Sequence, residues 1–117
     1  MQAADARAIA LSLPDAVEAP HFDYASFRVG GRIFATMPPD GRHLHVFVDE
    51  EDRQRTLALH PDCVEALHWG QRVLGLRLDL HAADATLATR LLVHAWARKA
   101  PKRLLPSLSA GMARHVG

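Results

Sequence analysis

Six cations close this chain with no acidic side chain among them. After Asp84 come Arg90, Arg98, Lys99, Lys102, Arg103 and Arg114. The formal net charge is only +1, so this is segregation of charge rather than general basicity. Segregated positive charge suits an anionic partner without identifying it. Lys102 and Arg103 stand just past a helical segment whose final turn holds Arg98 and Lys99. Phosphate contact is one account of this cluster. Compensation of the negative end of a helix dipole is the other. Arg32, Arg72 and Arg77 add cations elsewhere in the sequence. Trp69-Gly70 offers an indole that could stack on a base or on a partner's aromatic ring, or be a core tryptophan ahead of a turn glycine.

The remaining groups argue for less chemistry. His43 and His45 stand two apart, on one face of a strand, a spacing that can bind metal. No third ligand is near in sequence, and with eight histidines in the chain such a pair arises easily by chance. Asp49-Glu50-Glu51-Asp52 lacks the spacing and glycine of a calcium loop and reads as a helix opening, Asp49 capping free amides. Cys63 is the only cysteine, with no disulfide partner, no CxxC knuckle and no activating neighbour. Ser107 and Ser109 lack a nucleophile elbow, and neither a P-loop nor a GxGxxG occurs. The expectation is therefore a non-enzyme with no cofactor and no metal.

The elements that must position these groups follow from periodicity. Ala6, Ile9, Ala10 and Leu13 recur at helical spacing, predicting a helix over 3–13 that Pro14 ends. Pro14 to Tyr24 reads as irregular. Ser26–Val29 and Arg32–Thr36 are β-prone runs joined by Gly30-Gly31, a pair suited to the primed turn of a tight hairpin because glycine takes positive φ without steric cost. A two-residue turn there opposes Val29 to Arg32 and Arg28 to Ile33, so the two arginines point to opposite faces. After the turn Pro38–Gly41, Leu44, Val46 and Val48 alternate as a third strand. On its other face His43, His45 and Phe47 form a surface suited to a partner as well as to solvent.

Asp49 opens a helix to about His60, residues 61–70 are ambiguous, and 72–80 alternate as a strand with Leu74, Leu76, Leu78 and Leu80 on one side. Asp84 caps a final helix through Ala100, with Ala88, Leu91, Leu92, Ala95 and Trp96 as its buried stripe. The expected fold class is α+β: an antiparallel sheet, a three-strand meander plus at least one later strand, with helices mainly on one face. Residues 1–106 make a single domain and 107–117 a loose C-terminal tail. At 117 residues, 49% hydrophobic and 23% charged, the chain has the make-up of one ordinary globular domain. No apolar run approaches the ~18 residues of a membrane span, and the start lacks the basic and apolar regions of a signal peptide. Cytoplasmic placement is the expectation.

Four stretches, in order, carry a resemblance. Leu13-Pro14 with Ala19-Pro20-His21-Phe22, the hairpin Phe27–Ala35, Trp69-Gly70, and Ala95-Trp96 with Ala100-Pro101-Lys102-Arg103-Leu104 together resemble the MmcQ/YjbR family over roughly residues 6–105. The resemblance implies a small fold similar to secretion chaperones or CyaY. It also implies DNA binding through a proposed double-wing motif, without enzymatic activity or cofactor. One place departs from the pattern: Val73-Leu74 stands where many members carry Gly-Trp. On this reading Arg32, Arg72, Lys99, Lys102 and Arg103 contact phosphates and Trp69 stacks. The alternative is a protein-interaction or chaperone-like module that uses the open sheet face for a protein partner or a second copy. Whether those basic residues converge in space separates the two.

Overall fold

The computed structural model describes residues 1–114. Two layers make up the fold. Six strands form one antiparallel sheet: β1 (Val17–His21), β2 (Tyr24–Val29), β3 (Arg32–Met37), β4 (His43–Val46), β5 (Val64–Trp69) and β6 (Arg72–Asp79), in the order β1-β2-β3-β4-β6-β5. Helices α1 (Ala3–Leu11) and α3 (Ala85–Lys99) pack together against the sheet, and α2 (Glu50–Leu59) packs near β5 and β6. The expected α+β architecture, with its meander and later strands, is the observed one.

The capping residues act as their types dictate. Asp49 accepts a hydrogen bond from the Asp52 amide and Asp84 from that of Leu87, each satisfying an amide at a helix start. Pro101 stands just past α3, whose last residue is Lys99. The predicted stripe of α3 is entirely buried, and Trp96 also donates Nε1–H to the Pro14 carbonyl at 3.0 Å. With Trp96, the side chains of Phe27, Phe34, Leu44, Leu76 and Leu78 fill the space between helices and sheet. Each such burial stabilises the fold by about 2 kcal/mol relative to exposure.

Register assigns the two faces. The pairs Phe27↔Ala35, Ala35↔Val46, Leu44↔Leu78 and Val46↔Leu76 lie towards the helices. Ser26↔Thr36, Thr36↔His45 and His45↔Arg77 lie on the opposite face. Arg28 does oppose Ile33 and Val29 does oppose Arg32, as the Gly-Gly turn predicts, with Gly30 and Gly31 at φ +57° and +78°.

Two expectations are corrected. The segment Pro14–Tyr24 is not irregular throughout: Val17–His21 forms the edge strand β1, where Pro20 costs no inner-ladder hydrogen bond. The ambiguous segment 61–70 supplies the other edge strand, β5. Beyond α3, Lys102–Ser107 forms a 3-10 turn with Leu104 buried, and Ala110–Ala113 a short α4. Residues 107–117, read from the sequence as a tail, thus include α4, while 115–117 lie outside the described residues.

Candidate nucleic-acid interface

Two hairpins shape the face that the helices leave open. In β2–β3 the pairing jumps from Phe27↔Ala35 to Arg28↔Ile33, and in β5–β6 from Leu67↔Gly75 to His68↔Val73. Each jump leaves one extra residue, Phe34 and Leu74 respectively. Such bulges sharpen the local twist. Because β3, β4 and β6 alternate in direction, the Gly30-Gly31 tip and the Gly70-Gln71 tip lie at the same end of the sheet, separated by the exit of β4. That spacing is held closely at one point: a Cβ on Gly75 would come within 2.1 Å of the Val46 carbonyl oxygen. Only glycine lets β6 pass β4 there.

The open face encloses a groove of about 920 Å³. Tyr24, Thr36, His45 and Arg77 lie along it, with partly exposed Ile33, Phe47, Leu67 and Val73. His45 corrects the expectation of an exposed face around His43, His45 and Phe47, for it is only 4% accessible. The Tyr24 ring stands 5.9 Å from it and Thr36 Oγ1 lies 3.4 Å from its Nδ1. Burial first, then the positive charge of Arg77 and His43, pushes its pKa down to about 4. The ring is therefore neutral at pH 7, and its Nε2 is buried without a hydrogen-bond partner among the described residues. At the rim, Trp69 is 74% exposed and Phe22 92%. Trp69 is thus not the core tryptophan that one sequence reading allowed. Phe22 occupies the first turn position between β1 and β2 at φ +58°, a conformation that disfavours a bulky side chain.

Cations collect at the end of the groove where the two tips lie. Arg53, Arg72, Arg98 and Lys99 line it, and none of them forms an ion pair among the described residues. Arg98 reaches across to donate to the Phe47 carbonyl at 3.2 Å. Burial, then repulsion from Arg98 and Arg32, lowers the pKa of Lys99, which puts Arg32 in the same electrostatic cluster. The hairpin tip also rests on the last helix's exit: a Cβ on Gly30 would meet the Pro101 ring at 3.1 Å.

Of the residues singled out from the sequence, Arg72, Lys99 and Trp69 therefore share one groove, with Arg32 beside it. Lys102 and Arg103 are exposed on the 3-10 turn that follows Pro101, outside the groove lining. Sequence reasoning passed over Arg53, which looked like an ordinary member of a charged helix opening, and Phe22, which sat in a segment read as irregular. Around His43 and His45, as elsewhere among the described residues, no group of three potential metal ligands comes together. Instead His43 Nδ1 donates to Asp40 Oδ2 at 2.6 Å.

Comparison with known proteins agrees with this architecture. The YjbR family model matches residues 11–98. The chain belongs to the YjbR family. A solved structure of the Deinococcus radiodurans protein DR2400, with the domain DUF419, superposes with a TM-score of 0.69 at 21% identity. The match covers 100% of this chain and 89% of that one, so the YjbR fold is shared across the whole domain. No curated protein matches. Among the described residues no helix is long and apolar enough to cross a membrane.

Proposed function

We propose that this YjbR protein is a non-catalytic DNA-binding protein that contacts phosphates at the basic end of its open sheet face. The observation that carries the reading is the gathering of Arg53, Arg72, Arg98 and Lys99 in one groove with no carboxylate among the described residues to pair them. Like charges held together in a partly shielded groove repel, and a phosphate backbone relieves that repulsion while releasing its own counterions. Arg32 lies beside this cluster, and Lys102 and Arg103 extend it past Pro101. The two hairpin tips that flank it support a double-wing reading. The apolar rim, with Phe22 and Trp69 exposed, also favours a protein-interaction reading, in which a partner or a second copy covers those rings.

Titrating labelled DNA, both duplex and single-stranded, at several salt concentrations tests the reading. Neutralising about four phosphates of a duplex gives log K a slope near −3.6 against log salt. Arg72→Ala with Lys99→Ala is expected to weaken binding and flatten that slope by about two units. Failure of both DNA forms to bind at low salt up to roughly 100 μM, the weak limit of ordinary non-specific affinity, overturns it in favour of a protein partner.

A further inference from the structure

We infer that the nucleic acid this groove takes is single-stranded, with bases laid against Trp69 and Phe22 while the backbone follows Arg72, Arg98 and Lys99. The inference rests on the DNA-binding reading and specifies its ligand.

A duplex offers phosphates outward and keeps its base faces stacked inside, so it answers cations but leaves aromatic faces without a partner. A single strand offers both, and its recognition joins a cationic track to aromatic platforms. Here the two occur together. The unpaired cations line one end, and Trp69 stands at the same hairpin tip as Arg72, directly paired with it across the turn. The indole is 74% exposed, although burying it would be favourable. Phe22, 92% exposed on a backbone that disfavours bulky residues, marks the groove's far end. Between the two rings lie Tyr24, Thr36, His45 and Arg77, with the partly exposed Ile33, Phe47 and Val73 nearer Trp69. Among the described residues Asp23 is the sole acid along it, set beside Phe22 at the end away from the hairpin tips. The exposed rings stand at the rim of the groove, where splayed bases reach them and the stacked interior of a duplex does not.

The two tryptophans make the inference measurable. Trp96 is fully buried, so quenching of emission by a bound base reports Trp69. The experiment titrates the whole protein with an oligothymidine of about 12 nucleotides, inside the range of known single-strand site sizes. A duplex of equal length and an abasic strand of equal length serve as comparisons. The expected result is at least roughly tenfold tighter binding to oligothymidine than to either comparison, with Trp69 emission quenched, in keeping with loss of base stacking. Trp69→Ala then weakens oligothymidine binding about tenfold or more, by anisotropy, and Trp69→Phe largely restores it. Phe22→Ala, at an exposed site, gives a second and independent loss. If the duplex or the abasic strand binds as well as oligothymidine, or if oligothymidine binds without quenching, the inference falls and the DNA-binding reading stands. If no strand binds, both fall.

Discussion

At the end of the sheet where β3 turns into β4, Arg42 grips Asp79 through Nε and Nη2 at 3.2 and 2.9 Å, and Asp40 accepts from His43. At the opposite end Arg72, Arg98 and Lys99 form no ion pair with a carboxylate among the described residues. The same strands, β4 and β6, run between both ends. Ion pairs form elsewhere too, as at Arg7–Glu18 and Arg55–Glu51, so among the described residues it is the cations of the tip end that depart from the pattern. Asp79, hydrogen-bonded first by Arg42 and then by the His81 amide, is held down to about 2. Burial works against ionisation of Asp40, but hydrogen bonds from the Arg42 amide and from His43 outweigh it and bring that carboxyl to about 2 as well. One end spends its charges on the fold itself. At the other, the cations have no ion-pair partner among the described residues.

The most disruptive way to break this contrast is to separate the strands that join the two ends. Gly75→Ala places a methyl 2.1 Å from the Val46 carbonyl oxygen, and a backbone atom cannot swing aside as a side-chain tip can. Overpacking of this kind costs about 3 kcal/mol. Urea unfolding of the variant should show that loss, with DNA binding impaired in the fraction that remains folded. An alanine tolerated within about 0.5 kcal/mol would mean that β4 and β6 can part there, and that the two ends are not fixed relative to one another.

His45 lies midway along the same strands and divides them by pH. Its folded pKa is near 4, against 6.5 for the free side chain, because burial and then the positive charge of Arg77 and His43 disfavour the imidazolium. Between those values the unfolded chain takes up a proton that the folded chain refuses. The contribution of a neutral His45 is thus complete above pH 6.5, is lost as pH falls, and levels off below 4. Over that window the wild type should lose up to about 2 kcal/mol more than His45→Leu, in chemical unfolding followed at successive pH values. Parallel curves for the two proteins would contradict a buried neutral imidazole. Protonation of Asp40 and Asp79 belongs to a lower window, from their ordinary 3.8 down to about 2, and so does not blur the comparison.

How far the sequence discloses this arrangement depends on how local each signal is. The Gly30-Gly31 turn fixes its own register through two residues that accept positive φ, so the opposed faces of Arg28 and Arg32 were legible. The caps Asp49 and Asp84 and the stripe on α3 were legible for the same reason. β1 was not, because an edge strand tolerates Pro20 and buries little, leaving no alternation of apolar residues to read. The bulges at Phe34 and Leu74 leave no mark in composition, yet they bear on the twist and on which side chains reach the groove. Least legible was the site itself. Positions 53, 72, 98 and 99 come together only because β4 and β6 are neighbours and α3 ends over the exit of β4. Trp69 next to a turn glycine reads equally well as core or rim, and only its place on an edge strand decides.

The smallest effects give the most direct test of the contrast, because they set one residue from each end side by side. Asp79→Asn removes the charge that Arg42 grips but leaves an oxygen for the His81 amide, so the loss should be about 1 kcal/mol, at the upper range for a partly exposed pair. Its effect on DNA affinity should be slight, since the paired end lies away from the groove's cations. Arg72→Ala should do the reverse. Arg72 is exposed and has no ion-pair partner among the described residues, so stability should stay within about 0.5 kcal/mol, while the salt slope of DNA binding falls by about one unit. Relief of repulsion among the cations works in the same direction, and a slight gain in stability at low salt would fit. If Arg72→Ala instead destabilises as much as Asp79→Asn, the cations at that end support the fold, and the proposed interface loses its physical basis.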